Sequence, residues 1–314
     1  MLGYLSMTSN NMKIGSIVIR IRDIEKVSAF YERIGLQLDK KYQDDDNKSI
    51  YEFGAPDKLS TGDKHPLLAL RHDPEAKNAS PNSAGLFHFA LLVPDRKSLA
   101  STYLALRDSG VEYDGFADHL VSESLYLRDP ENNGIEIYRD RPNKEWPRDS
   151  EGHIMMDTLP LDLDALVSEE LDKEEEIDNA KAFPNGARIG HIHLRATNLE
   201  RSIKFYHEKL GFDITVDWSS IGAAFLSTGG YHHHIALNTW NSLDGAAHSI
   251  GEAGLEYFEI TTPDTSTLDT IKSIMYYSVT SERQEKQPQD ENTENQILVK
   301  DPDGIQILIK SESE

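Results

Sequence analysis

The chain has no cysteine anywhere in its 314 residues. Disulfides, thiolate metal sites and a cysteine nucleophile are thereby excluded, and any metal must be held by His, Asp or Glu. A bilayer-crossing helix needs ~20 apolar residues in a row, and no run approaches that. The first residues, MLGYLSMTSNN, carry no basic segment followed by an apolar core, so no signal peptide is expected and a cytoplasmic location is the default. Basic residues are scarce, 32 Lys and Arg against 54 Asp and Glu, for a formal charge of −22. Such a surface repels phosphate backbones and anionic lipid, so neither nucleic acid nor a membrane is expected as a partner. The length is enough for two ordinary domains with their own cores.

What is present is a fourfold repeat. Ile14–Asp23 (IGSIVIRIRD), Leu86–Asp95 (LFHFALLVPD), Ile189–Asn198 (IGHIHLRATN) and Leu255–Asp264 (LEYFEITTPD) each read as a strand ending in an Asp or Asn that can cap a helix. The third residue of each segment (Ser16, His88, His191, Tyr257) lies at one fixed interval before its cap residue (Asp23, Asp95, Asn198, Asp264). Helices follow the caps, and Gly35 and Gly211 stop two of them. Asp-Pro turns at Asp129-Pro130 and Asp301-Pro302 introduce the last strands of the second and fourth copies, Gly134–Tyr138 and Gly304–Ile309. Pro66–Arg71 and Tyr231–Asn238 (YHHHIALN) read as the last strands of the first and third. The fold class is therefore α+β, built from four βαβββ modules. The expected organisation is a domain of modules one and two over 12–140, an acidic linker over 141–187 and a domain of modules three and four over 188–311. Leu161–Asp178, rich in Asp and Glu, is expected to form one exposed helix in that linker.

Three residues stand out chemically. His88 and His191 occupy the same slot of the same motif, and Glu136 lies on the last strand of the module that begins with His88. A Glu between Ile135 and Ile137 is costly to bury unpaired. Two imidazoles and one carboxylate make a facial set that leaves metal positions open, the arrangement suited to non-haem Fe(II). In Tyr231–Asn238, read as a strand, His232 and His234 point to one face and His233 to the other, which keeps His232 or His234 open as a fourth ligand. His193 shares a face with His191 and is expected to line the pocket. His65, His72, His153 and His248 are expected on the surface.

The stretches GLFHFALLVPDR, DPENNGIEIY, RIGHIHL and GGYHHHIALNTWN carry a resemblance. The chain resembles the vicinal oxygen chelate superfamily (glyoxalase I, bleomycin-resistance proteins, type I extradiol dioxygenases) and, within it, the two-domain bacterial catechol 2,3-dioxygenases. The resemblance covers nearly the whole chain outside the linker and tips. It implies that modules pair into two cup-shaped, glyoxalase-like units, with metal ligands from the first and last strands of two facing modules. The chain departs from the usual dioxygenase plan, because module four offers Tyr257 and Gln306, and module one offers Ser16. Pairing modules 1+2 and 3+4 leaves no complete site, whereas modules 2 and 3 together supply His88, Glu136 and His191. The resemblance further implies that Tyr126 and His119 hydrogen-bond the substrate and that His233 is the acid–base catalyst. The implied activity is extradiol ring cleavage of catechol or a related compound with Fe(II), or with Mn(II), Ni(II) or Zn(II) as alternatives. The implied partners are a small aromatic diol and O2, with homo-oligomer formation left open. The rival readings are a glyoxalase-type isomerase or lyase and a metal-free binding protein of the bleomycin-resistance kind.

Overall fold

The computed structural model describes residues 11–56, 66–170, 182–281 and 294–312. Module one runs β1 (Lys13–Ile21), α1 (Ile24–Arg33), β2 (Gln37–Gln43), β3 (Ser49–Gly54) and β4 (Leu68–His72). Module two runs β5 (Gly85–Leu92), α2 (Arg96–Asp108), β6 (Gly115–Asp118), β7 (Ser122–Arg128) and β8 (Gly134–Asp140). A short helix, α3 (Leu163–Glu170), lies in the connection. Module three follows with β9 (Arg188–Arg195), α4 (Leu199–Lys204), β10 (Asp213–Trp218), β11 (Ala223–Ser227) and β12 (Ile235–Asn238). Module four has β13 (Gly254–Thr262), α5 (Thr265–Ser281), β14 (Gln296–Lys300) and β15 (Gln306–Ser311) among the described residues.

All four caps form as the repeat implies. Asp23, Asp95, Asn198 and Asp264 accept from the backbone N–H of Lys26, Ser98, Arg201 and Thr267 at 3.0, 2.7, 2.9 and 2.8 Å. Each satisfies an amide donor that the first helical turn leaves unpaired. Gly35 and Gly211 take φ of +97° and +80°, the left-handed conformation in which glycine ends a helix at no steric cost.

The sheets decide the module pairing. One has the strand order β14-β15-β13-β1-β4-β3-β2, the other β10-β11-β12-β9-β5-β8-β7-β6. Modules four and one thus share a sheet, and modules two and three share the other. Each sheet draws strands from both 12–140 and 188–311. The seams are antiparallel pairs of first strands, with Phe89 opposite Ile192 and Ala90 opposite His191 in one, and Ile17 opposite Phe258 in the other. Alternation sends Phe89, Leu91, Ile192 and Leu194 into a core beneath the helices and leaves His88, Ala90, His191 and His193 on the concave face.

Two expectations need correction. The third module's last strand starts at Ile235, and the three histidines lie before it in an irregular, bent segment, so strand alternation does not set their directions. The acidic helix is not free in solvent either: α3 packs on α2, and Leu166 is fully buried in the core. Its expected continuation from residue 171 lies outside the described residues. The start of the connection also folds back onto the molecule. Leu159 exchanges backbone hydrogen bonds of 2.8 and 2.9 Å with Asp118, and Met156 packs on Val216, Ala223, Phe225 and Ala236.

Candidate metal centre

β9, β5 and β8 lie side by side, so the fourth residue of two first strands, His88 and His191, and the third of one last strand, Glu136, arrive at one point. Nε2 of His88 and Nε2 of His191 each lie 3.0 Å from the same Glu136 oxygen, Oε2. The three donor atoms fall within 4.8 Å of one another, and all three residues are buried. Two donors at right angles around a metal at about 2.1 Å would lie roughly 3 Å apart, which is the separation of each imidazole nitrogen from Glu136 Oε2. The other Glu136 oxygen accepts 2.6 Å from Ser124 Oγ, which orients the carboxylate from the neighbouring strand. Burial works against ionising Glu136, but the imidazoles of His191 and His88 outweigh it and hold the carboxyl well below its usual range. His191 is pulled down, first by burial and only partly offset by Glu136, which favours the neutral form a metal requires. Its buried Nδ1 has no partner among the described residues.

The residues expected around this point take distinct places. Tyr126 stands opposite Glu136 in the β7–β8 pair. Its hydroxyl lies 2.7 Å from His119 Nε2, while His119 Nδ1 lies 2.8 Å from the Asp157 carbonyl. A carbonyl only accepts, so Nδ1 carries the proton and Nε2 accepts from Tyr126. Burial and the Glu136 charge raise the Tyr126 phenol well above its ordinary value, keeping it a donor. His193 Nε2 accepts 2.9 Å from Asn238 Nδ2, and its ring lies 4.8 Å from those of His88 and Phe87. It therefore lines the cup beside the trio.

The His triplet splits three ways. The ring of His233 lies 4.1 Å from that of His191 and 5.0 Å from Phe225, inside the cup. His232 stands behind it, bonded to Asp140. His234 turns away toward Ser227, 2.8 Å from its Oγ, and is held down at about 3, chiefly by burial. Neither His232 nor His234 joins the trio as a fourth donor. His153 is exposed as expected, but His72 and His248 are half-buried: His72 Nε2 meets the Arg22 carbonyl at 3.1 Å, and His248 Nδ1 is enclosed with no partner among the described residues. His65 lies outside the described residues.

The other sheet offers no comparable set. Tyr257 and Gln306 face each other across β13 and β15, and Ser16 donates its backbone N–H 3.1 Å to Glu259. Glu259 is itself paired with Lys310 at 2.7 Å. Among the described residues, the only clustered donor set is His88, Glu136 and His191. Ser124 and Asp140 were not singled out from the sequence. The available signal was alternation, which puts Glu136, Tyr138 and Asp140 on one face of β8 and Ser124 and Tyr126 on one face of β7.

The sequence pattern of the Glyoxalase/Bleomycin resistance protein/Dioxygenase superfamily matches residues 13–137 and 188–309, and the chain belongs to that superfamily. The chain is 37% identical to "Catechol-2,3-dioxygenase" of Bacillus subtilis (strain 168) over 291 residues, covering 92% of this chain and 93% of that protein. It is also 35% identical to "Biphenyl-2,3-diol 1,2-dioxygenase 3" of Rhodococcus globerulus over 107 residues, 33% of this chain and 55% of that one. In fold it resembles the crystal structure of glyoxalase I from Zea mays, with a TM-score of 0.54 at 17% identity over 96% of this chain and 93% of that one.

Proposed function

We propose that this chain is an Fe(II)-dependent extradiol dioxygenase that opens the ring of catechol or a related catecholic compound, with O2 as co-substrate. The chain is an enzyme of the extradiol dioxygenase kind, as its similarity to two ring-diol dioxygenases indicates. One observation carries the finer reading: His88, Glu136 and His191 converge from modules two and three with Tyr126 and His233 beside them. Fe(II) bound there would supply the one-electron chemistry that lets O2 react with an aromatic ring.

The protein's own residues do the rest. His233 takes the proton of a diol hydroxyl and later returns it, a role for which burial beside His191 and His232 keeps it neutral, well below its ordinary value. Tyr126, whose own proton goes to His119, accepts a hydrogen bond from a substrate hydroxyl. Val216, Phe225, Ala236 and Met156 form an apolar wall against which a flat ring packs and water is excluded. A glyoxalase-type reaction would want a second carboxylate on β12, whose cup face instead carries Ala236 and Asn238. No helix among the described residues is long and apolar enough to cross a membrane. A cytoplasmic location belongs to the proposal.

The test is anaerobic reconstitution with Fe(II), then O2 uptake with catechol. One O2 consumed per ring opened is the expected result. Metal bound by all three residues without O2 uptake for any catechol tried would overturn the dioxygenase reading. Mn(II), Ni(II) and Zn(II) forms assayed in parallel identify the active ion.

A further inference from the structure

His232, Asp140 and Tyr231 stand outside the metal trio, yet they form a closed chain of hydrogen bonds that ends at His233. Asp140 Oδ1 lies 2.7 Å from His232 Nε2. His232 Nδ1 lies 2.8 Å from His233 Nδ1. Asp140 is held from its far side by Tyr231, whose hydroxyl donates to Oδ2 at 2.9 Å and lies 2.7 Å from the Tyr138 hydroxyl. Tyr231, Trp146 and Tyr138 pack around the His232 ring at 4.0, 5.2 and 6.2 Å, and His232 is fully buried.

The polarity of this chain follows from donor chemistry. A carboxylate accepts, so the proton between Asp140 and His232 sits on His232 Nε2. In a neutral imidazole the other nitrogen is then an acceptor, so the proton between the two rings sits on His233 Nδ1. That leaves His233 Nε2 as a lone-pair acceptor, and it has no hydrogen-bond partner among the described residues. The opposite polarity would need His232 protonated on both nitrogens, whereas a ring with one proton, on Nε2, already satisfies both Asp140 and His233.

We propose that Asp140 and His232 are positioning residues that fix His233 in the Nδ1–H tautomer, with Nε2 turned to the cup as the proton acceptor. The inference deepens the dioxygenase reading and rests on it for the identity of the proton donor, a diol hydroxyl. In the step, the O–H bond breaks, its proton passes to His233 Nε2, and the electron pair stays on the substrate oxygen. His233 then carries both ring protons, and the bond from its Nδ1 to His232 becomes charge-assisted and stronger. β8 thus presents two carboxylates on one face, four residues apart: Glu136 for the metal trio and Asp140 for the base.

The test uses the full chain with its metal-site residues intact. Nitrogen-15 spectra of the Zn(II)-loaded protein, which is diamagnetic, report the tautomer directly. The wild type is expected to show His233 with Nδ1 protonated. His232→Phe, which keeps an aromatic ring in the buried slot but offers no acceptor, is expected to shift that signature toward Nε2–H. In the Fe(II) form the same variant should lower kcat roughly 10- to 100-fold with KM within about twofold and iron content unchanged. His232→Gln, whose amide oxygen can accept from Nδ1, should recover most of the loss. Asp140→Ala should act in the same direction, and its effect should not add to that of His232→Phe. A wild-type His233 protonated on Nε2, or a His232→Phe enzyme with unchanged kcat, refutes the proposal. The Nδ1–H tautomer with its response to His232→Phe, but no ring cleavage with any catechol, upholds the relay and refutes the dioxygenase reading instead.

Discussion

The hydroxyl of Tyr206, in the turn that prolongs α4, donates 3.0 Å to the buried Asp301 at the turn before β15. Tyr31 of α1 makes the same contact, 3.2 Å, with Asp129 before β8. The chain therefore couples its modules in two ways. Sheets join one with four and two with three, while these Tyr–Asp contacts tie one to two and three to four. The candidate metal site lies in a sheet that neither half of the chain builds alone.

Asp301 makes stability depend on pH. Burial, reinforced by the neighbouring Asp303 charge, pushes its carboxyl up to about 7 from an ordinary 3.8. The folded chain then holds this proton more tightly than the unfolded one, so the group's contribution is full below pH 3.8 and is lost as pH rises through about 7. A shift of this size corresponds to ~4 kcal/mol. Asp301→Asn mimics the protonated form, keeping an acceptor for the backbone N–H groups of Asp303 and Ile305. Its melting temperature relative to wild type should climb between pH 4 and pH 8. An offset that stays constant across that range would show that Asp301 is already ionised in the fold.

Metal content should be one per chain. His191→Ala, His88→Ala and Glu136→Ala should each abolish tight metal binding together with activity. Changing Ser16, Tyr257 or Gln306 should leave the metal content untouched. Elemental analysis that finds two tightly bound metals in the wild type would contradict this, because the second cup offers only weak neutral donors at those three positions.

Ser124→Ala removes the hydrogen bond that orients Glu136 but no ligand. Metal affinity should fall about 10- to 100-fold, the usual consequence of losing a residue that supports a ligand. Competition against a chelator measures it, and an unchanged dissociation constant would mean that Glu136 is held by its strand alone.

His233→Asn or His233→Gln should keep iron bound and slow ring cleavage roughly 10²- to 10⁴-fold. The contrast with His191→Ala, where iron and activity vanish together, separates the base from the ligands. His234→Gln is the control, since His234 bonds to Ser227 and faces away from the cup. Near-normal turnover in the His233 variants alongside lost turnover in His234→Gln would reverse the assignment.

Much of this was legible along the chain. Caps, strand alternation and the equal spacing of His88 and His191 are local patterns, set by backbone hydrogen bonding within a few residues, so one sequence suffices to find them. The pairing of modules two and three was also legible, because the ligand inventory allows only that pairing to complete a set of two imidazoles and a carboxylate. The triple His was not. It lies in a bent, irregular segment, where no two-residue period operates, and its directions come from Asp140, Ser227 and His191, partners supplied by other strands. Likewise only the folded chain puts Ser124 against Glu136, Asp157 against His119 and Met156 against Phe225. Sequence by itself pointed to the residues that could bind a metal and to the modules in which they lie. Tertiary structure decided which imidazole faces the cup and what holds it there, because contacts such as that between Asp140 and His232, 92 residues apart, exist only once the sheets have closed.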